Sequence, residues 1–132
     1  MTGPNTPSLV LLVEDHADTR QVYADFLGEA FEVLQAADGE EALDVVQKRV
    51  PALVITDLSL PGIDGFELIR RLRNSPSTRQ VPAICLSGHG GRAHEARGRA
   101  VGCDRILEKP CLPRELSEAV ETLLREGRRA GA

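Results

Sequence analysis

Short apolar runs and amphipathic stretches take turns along this chain, and that alternation restricts the fold more than any single residue does. Residues 9–13 (LVLLV), 31–36 (FEVLQA), 53–57 (LVITD), 81–86 (VPAICL) and 104–108 (DRILE) read as strands. The third, an apolar run with β-branched Val54, Ile55 and Thr56 at its centre, reads as one buried on both faces. A helical pattern separates each strand from the next. Strands alternating with helices make right-handed crossovers, which put helices on both faces of a parallel sheet. The expected fold is therefore α/β, a doubly wound five-stranded parallel sheet, with ligands bound at the carboxyl edge of its strands. The 132 residues are one ordinary domain, with a core over about residues 8–126 that needs neither metal nor disulfide to hold it.

The helical stretches differ in quality. From Asp18 on, Val22, Tyr23, Phe26, Leu27 and Ala30 recur at helical spacing and predict one apolar face. Asp38-Gly39-Glu40-Glu41 and Asp64-Gly65-Phe66-Glu67 both place an acid three residues after an Asx cap, a helix-start signature. The second opens a helix with Phe66, Ile69 and Leu72 inward. Residues 89–101 are the poorest helix. They hold Gly90, Gly91 and Gly98, each costing about 1 kcal/mol against alanine in a helix interior, and almost no large apolar anchor. That segment is expected to be marginal and mobile, and its Arg92, Arg97 and Arg99, with Arg105, read equally as a basic contact surface or as a merely solvated charged face.

Chemistry gathers where the strands end. The first runs into Glu14-Asp15, the third ends on Asp57, the fourth runs into Ser87, and the fifth passes through Glu108 into Lys109-Pro110. Neighbouring parallel strands would bring two acids, a nucleophilic carboxylate, a hydroxyl and an amine to one edge. Of the 16 basic residues only Lys48 and Lys109 are lysine; a chain that otherwise uses arginine has placed a compact three-donor ammonium at Lys109, suited to a phosphate oxygen. Clustered carboxylates repel unless a hard cation neutralises them, and Asp15 and Asp57 with a backbone carbonyl make an oxygen site suited to Mg²⁺.

These residues, with L-x-L-P-G-x-D-G after Asp57, resemble the receiver domain of two-component response regulators over residues 8–126. The resemblance implies a flavodoxin-like (βα)5 fold with strand order 2-1-3-4-5. It also implies a phospho-aspartate switch: Asp57 accepts a phosphoryl group from a sensor histidine kinase or phosphotransfer protein, and the surface of the fourth helix, fifth strand and fifth helix changes to regulate an output protein. Asp15, Asp57 and the Ser59 carbonyl would ligate Mg²⁺, with Glu14 orienting a metal-bound water, while Ser87 and Lys109 each hold a phosphoryl oxygen. The implied activity is confined to the domain's own phosphorylation and dephosphorylation. The Lys109-Pro110 bond is expected cis. One departure stands out: Ile106 replaces the family's usual aromatic, so a side-chain lever there is in doubt.

Two rivals are weaker. An inactive pseudo-receiver would lack an acid, the acceptor or the lysine, and none is missing. A phosphohydrolase of the haloacid dehalogenase type carries a second Asp two residues after its nucleophile, where this chain has Ser59. A net charge of −4 does not favour direct nucleic-acid contact, and the apolar runs are too short for a membrane span, so a cytoplasmic protein is expected. Cys85, Cys103 and Cys111 are odd in number and lack C-x-x-C spacing, and they read as reduced thiols with Cys85 in the core. His16 and His94 read as solvated, and His89, two residues beyond Ser87, reads equally as a group beside the phosphoryl's approach path or as a loop histidine in water.

Overall fold

Five strands alternate with five helices in the computed structural model, which describes residues 7–88 and 91–127. In chain order they are β1 (Leu9–Val13), α1 (Ala17–Leu27), β2 (Glu32–Ala36), α2 (Gly39–Lys48), β3 (Leu53–Asp57), α3 (Gly65–Arg73), β4 (Ala83–Ser87), α4 (Gly91–Val101), β5 (Arg105–Glu108) and α5 (Pro113–Glu126). The strands form one parallel sheet in the order β2-β1-β3-β4-β5, as expected. Among the described residues no helix is long and apolar enough to cross a membrane.

Period-two alternation along the strands feeds two cores. Val10, Leu12, Leu53, Ile55, Ile84 and Leu86 face α1 and α5, meeting Tyr23, Leu27, Leu116, Val120 and Leu123. Leu11, Val13, Val54, Ala83 and Cys85 face the other way, onto Ala42, Val46, Phe66, Ile69 and Leu72. Such burial on both faces is why β3 and β4 carry no exposed residue.

Helix starts follow the local chemistry. The Asp38 carboxylate accepts from the Glu41 amide at 2.8 Å while Glu41 accepts from the Ala37 amide at 3.0 Å, and Asp64 accepts from the Glu67 amide at 2.9 Å. The first helix departs from the predicted face. It buries Tyr23, Ala24 and Leu27, whereas Val22 and Phe26 are exposed and Ala30 lies beyond its end, because only a narrow stripe of α1 meets the sheet and α5. The fourth helix is as poorly anchored as its glycines suggest, with Gly98 its sole buried residue.

The cysteine reading is corrected in part. Cys111 is a free, buried thiol, but Cys85 and Cys103 are disulfide-bonded, with Cα atoms 6.4 Å apart and a sequence separation of 18. Sequence spacing hides the pair because the fold makes it: Cys85 lies opposite Ile106 in the β4–β5 register, and Cys103 lies two residues before β5 begins at Arg105.

Candidate functional site

The strand register brings the polar ends together. Val13 is level with Thr56, so Glu14 stands level with Asp57; Asp57 is level with Leu86 and Ser87 with Glu108. Glu14, Asp57, Ser87 and Lys109 therefore leave the sheet within one residue of a common line. A backbone bond from the Lys109 amide to the Ser87 carbonyl, 2.8 Å, fixes the exits of β4 and β5 to each other. The Lys109-Pro110 peptide is cis, as the resemblance implied. Just beyond it, the Tyr23 hydroxyl donates to the Cys111 carbonyl at 2.7 Å, pinning this loop to α1.

One carboxylate oxygen from each of Glu14, Asp15 and Asp57 lies within 4.8 Å of the other two. Glu14 and Asp57 are buried and Asp15 is exposed. The Lys109 ammonium donates to Glu14 Oε1 at 3.0 Å and to Asp57 Oδ2 over a shorter distance. Burial pushes the Glu14 carboxyl above its usual range, although the bonds from Lys109 and from the His16 amide pull the other way. Burial lowers the affinity of Lys109 for its proton, but hydrogen bonds to Asp57 and Glu14 outweigh it and hold the ammonium above its ordinary range. The Ser59 amide donates to Asp57 Oδ1 at 3.0 Å. The donor set is wholly hard oxygen and open to solvent at Asp15, which fits a small divalent cation.

Glu14, Asp15 and Asp57 form this carboxylate group, and the Ser59 amide and the Lys109 ammonium bond to it. Ser87 sits at the same edge with its hydroxyl 3.5 Å from His94 Nδ1. The reading of His94 as solvated is thereby corrected: the ring is half-buried and meets Phe66 edge-on, centroids 5.4 Å apart at 80°. Arg97 is also no free surface charge, since its guanidinium lies 4.0 Å over the Phe66 ring, and Arg99 pairs with Glu95 at 2.9 Å. His16 is exposed as expected and caps α1, its Nδ1 accepting from the Thr19 amide at 3.3 Å. His89 lies outside the described residues. Sequence reading missed Arg73, whose guanidinium donates to the Val81 carbonyl at 2.6 Å and the Gly102 carbonyl at 2.9 Å and pairs with Asp104 at 3.1 Å. An arginine at the end of a polar-faced helix carries no signal of such an anchor.

Comparison with known proteins agrees with this geometry. Residues 10–121 match the model of the response regulator receiver domain. The chain is 36% identical over 120 residues to response regulator Rre1 of Synechocystis, covering 89% of this chain and 52% of that protein. It is 35% identical to the phosphate regulon transcriptional regulatory protein PhoB of Rhizobium meliloti, covering 92% of this chain and 54% of that protein. The chain thus spans about half the length of the curated relatives it matches. Among solved structures, a putative response regulator from Chloroflexus aurantiacus superposes with a TM-score of 0.86 at 36% identity, covering 91% of this chain and 99% of that one. The Vibrio cholerae chemotaxis protein CheY4 superposes with a TM-score of 0.84 at 31% identity, covering 89% and 98%. With its sheet order, its strand-end residues and these matches in agreement, the chain belongs to the response regulator receiver domain family.

Proposed function

We propose that this domain is a phospho-aspartate switch. It accepts a phosphoryl group on Asp57 from a sensor histidine kinase or phosphotransfer protein, and passes the change through α4, β5 and α5 to an output protein. The observation that carries the reading is the placement of Asp57 at the end of the central strand, within 4.8 Å of two other acids and bonded to the Lys109 ammonium.

An Asp57 carboxylate oxygen attacks the donor's phosphorus, the bond between phosphorus and the donor breaks, and an acyl phosphate forms on Asp57. Lys109 and Ser87 each donate to a phosphoryl oxygen and spread the charge that builds there. Glu14, Asp15, Asp57 and the Ser59 carbonyl are the oxygens that would hold Mg²⁺, which when bound supplies positive charge against the clustered carboxylates and the phosphoryl oxygens. Hydrolysis returns the free carboxylate, and no separate substrate is turned over.

The test is to mix the protein with Mg²⁺ and acetyl phosphate and weigh it intact. One added phosphoryl is expected, and none for Asp57→Asn. A mutant that gains the phosphoryl at the parent's rate would remove Asp57 from the proposal.

A further inference from the structure

We propose that His94 is the positioning residue that links the state of Ser87 to α4: it holds the Ser87 hydroxyl while Asp57 is unmodified and loses that hold when a phosphoryl oxygen takes the hydroxyl. The inference rests on the phospho-aspartate reading above.

Three observations converge on this residue. First, Ile106 packs against α4: a Cβ placed on Gly98 would lie 2.6 Å from Ile106 Cδ1 and 3.5 Å from Cys103 Sγ, so helix and strand meet at a glycine, and the β-branched Ile106 is stiff at χ1. Second, the early turns of α4 have few other anchors: its one buried residue, Gly98, and its half-buried Val101 lie toward its end, and the early turns touch the body of the domain through His94 and Arg97 on Phe66. Residues three apart on a helix share a face, which is why both reach the same ring. Third, His94 Nδ1 is 3.5 Å from Ser87 Oγ, at the long limit of a hydrogen bond and so easily exchanged for a better partner.

The better partner is the phosphoryl group. With Nδ1 taken as the acceptor, the Ser87 hydroxyl has one proton to give; hydrogen bonds to an anionic acceptor are about twice as strong as neutral ones, so that proton turns to the phosphoryl oxygen and away from the imidazole. The ring borders an open cleft of about 500 Å³ lined also by Asp15, Ser59, Asp64, Phe66 and Arg97, which leaves it space to move. Movement of His94 carries the first turns of α4 with it, against the fixed contact of Gly98 on Ile106.

The experiment is amide hydrogen exchange on the full chain, with and without beryllofluoride and Mg²⁺, for the parent, His94→Leu and His94→Asn. Leucine keeps the apolar contact with Phe66 and loses the polar atom, whereas the asparagine amide places a polar atom near the position of Nδ1. Loss of one ordinary hydrogen bond shifts a two-state equilibrium about fivefold, which is the upper bound for a contact this long, so the beryllofluoride-dependent change in protection over residues 91–101 is expected to shrink by up to about that factor in His94→Leu and to return in His94→Asn. Ser87→Ala removes the same contact from the other side, and it is expected to shift α4 exchange in the unmodified protein in the same direction as His94→Leu. A full α4 response in His94→Leu, an Asn variant as unresponsive as Leu, or opposite shifts in Ser87→Ala and His94→Leu would each overturn the proposal. Phosphorylation by acetyl phosphate, read by intact mass, separates this from the underlying reading: it should persist in both His94 variants, and its absence in the parent would defeat the switch itself.

Discussion

Lys109 holds two acids that would otherwise repel each other, Glu14 almost wholly buried and Asp57 beside it. Replacing it with glutamine leaves those carboxylates without their cation, and a loss of about 1–3 kcal/mol in stability is expected in urea denaturation. Adding Mg²⁺ should restore part of that loss, since a bound cation supplies the missing charge; a Lys109→Gln variant indifferent to Mg²⁺ would count against the metal site. Asp15 is exposed, so Asp15→Asn should change the metal-free stability by no more than about 0.5 kcal/mol while removing the stabilisation that Mg²⁺ gives the parent. Gly65 acts on the site from behind. A Cβ there would strike the Asp57 carbonyl and come within 2.7 Å of Leu58 Cα, both backbone, so Gly65→Ala should cost about 1–3 kcal/mol and slow phosphorylation by displacing Asp57. That Glu14, Asp57, Ser87 and Lys109 would gather was legible in the sequence because each closes or follows a strand, and strand ends in a parallel sheet lie at one edge. His94 was not legible: whether a helical histidine faces water or Ser87 depends on how α4 lies against α3.

At the scale of elements, α4 shows both what sequence patterns reveal and where they stop. Its glycines and missing apolar anchors marked it as the least stable helix, and one buried residue is what the structure gives it. The reason for Gly98 is tertiary, the close approach of Ile106, which no local pattern records. Gly98→Ala should gain about 1 kcal/mol of helix propensity and lose it to the collision with Ile106 Cδ1. In Gly98→Ala/Ile106→Val the colliding methyl is gone, so the double variant should be more stable than the two single changes sum to, a coupling of about 1 kcal/mol in a double-mutant cycle. Additive effects would mean that Ile106 steps aside freely and is not interlocked with the helix. The first helix teaches the converse. Val22 and Phe26 fit its apolar period yet face outward, because a period names a stripe of positions and the neighbouring elements decide how much of it is covered.

Across the whole molecule, the Cys85–Cys103 bond ties the middle of β4 to the chain just after α4, enclosing the end of β4, the following loop and the whole of α4. It sits in the core on the α3 side, next to Gly98, while the opposite core under α1 and α5 contains neither partner. In the chain-entropy view, a cross-link closing about 15 residues stabilises by about 3 kcal/mol through its restriction of the unfolded chain. Reduction is a cleaner probe than mutation, since it leaves both sulfurs in place and opens no cavity. Reductant should therefore lower the stability measured in urea by about 2–3 kcal/mol, with intact mass verifying the gain of two hydrogens. The loss should appear first as faster exchange in α4, whose other anchors are few, while β1 and β3 keep their protection until the molecule unfolds as a whole. Phosphorylation should survive the reduction, because Glu14, Asp57 and Lys109 are joined by register and hydrogen bonds in which neither sulfur takes part. Equal stability with and without reductant would mean that the bond constrains nothing the fold does not already fix, and α4 would then owe its position to Gly98 on Ile106, to Arg73 on Gly102 and Asp104 and to the Phe66 contacts.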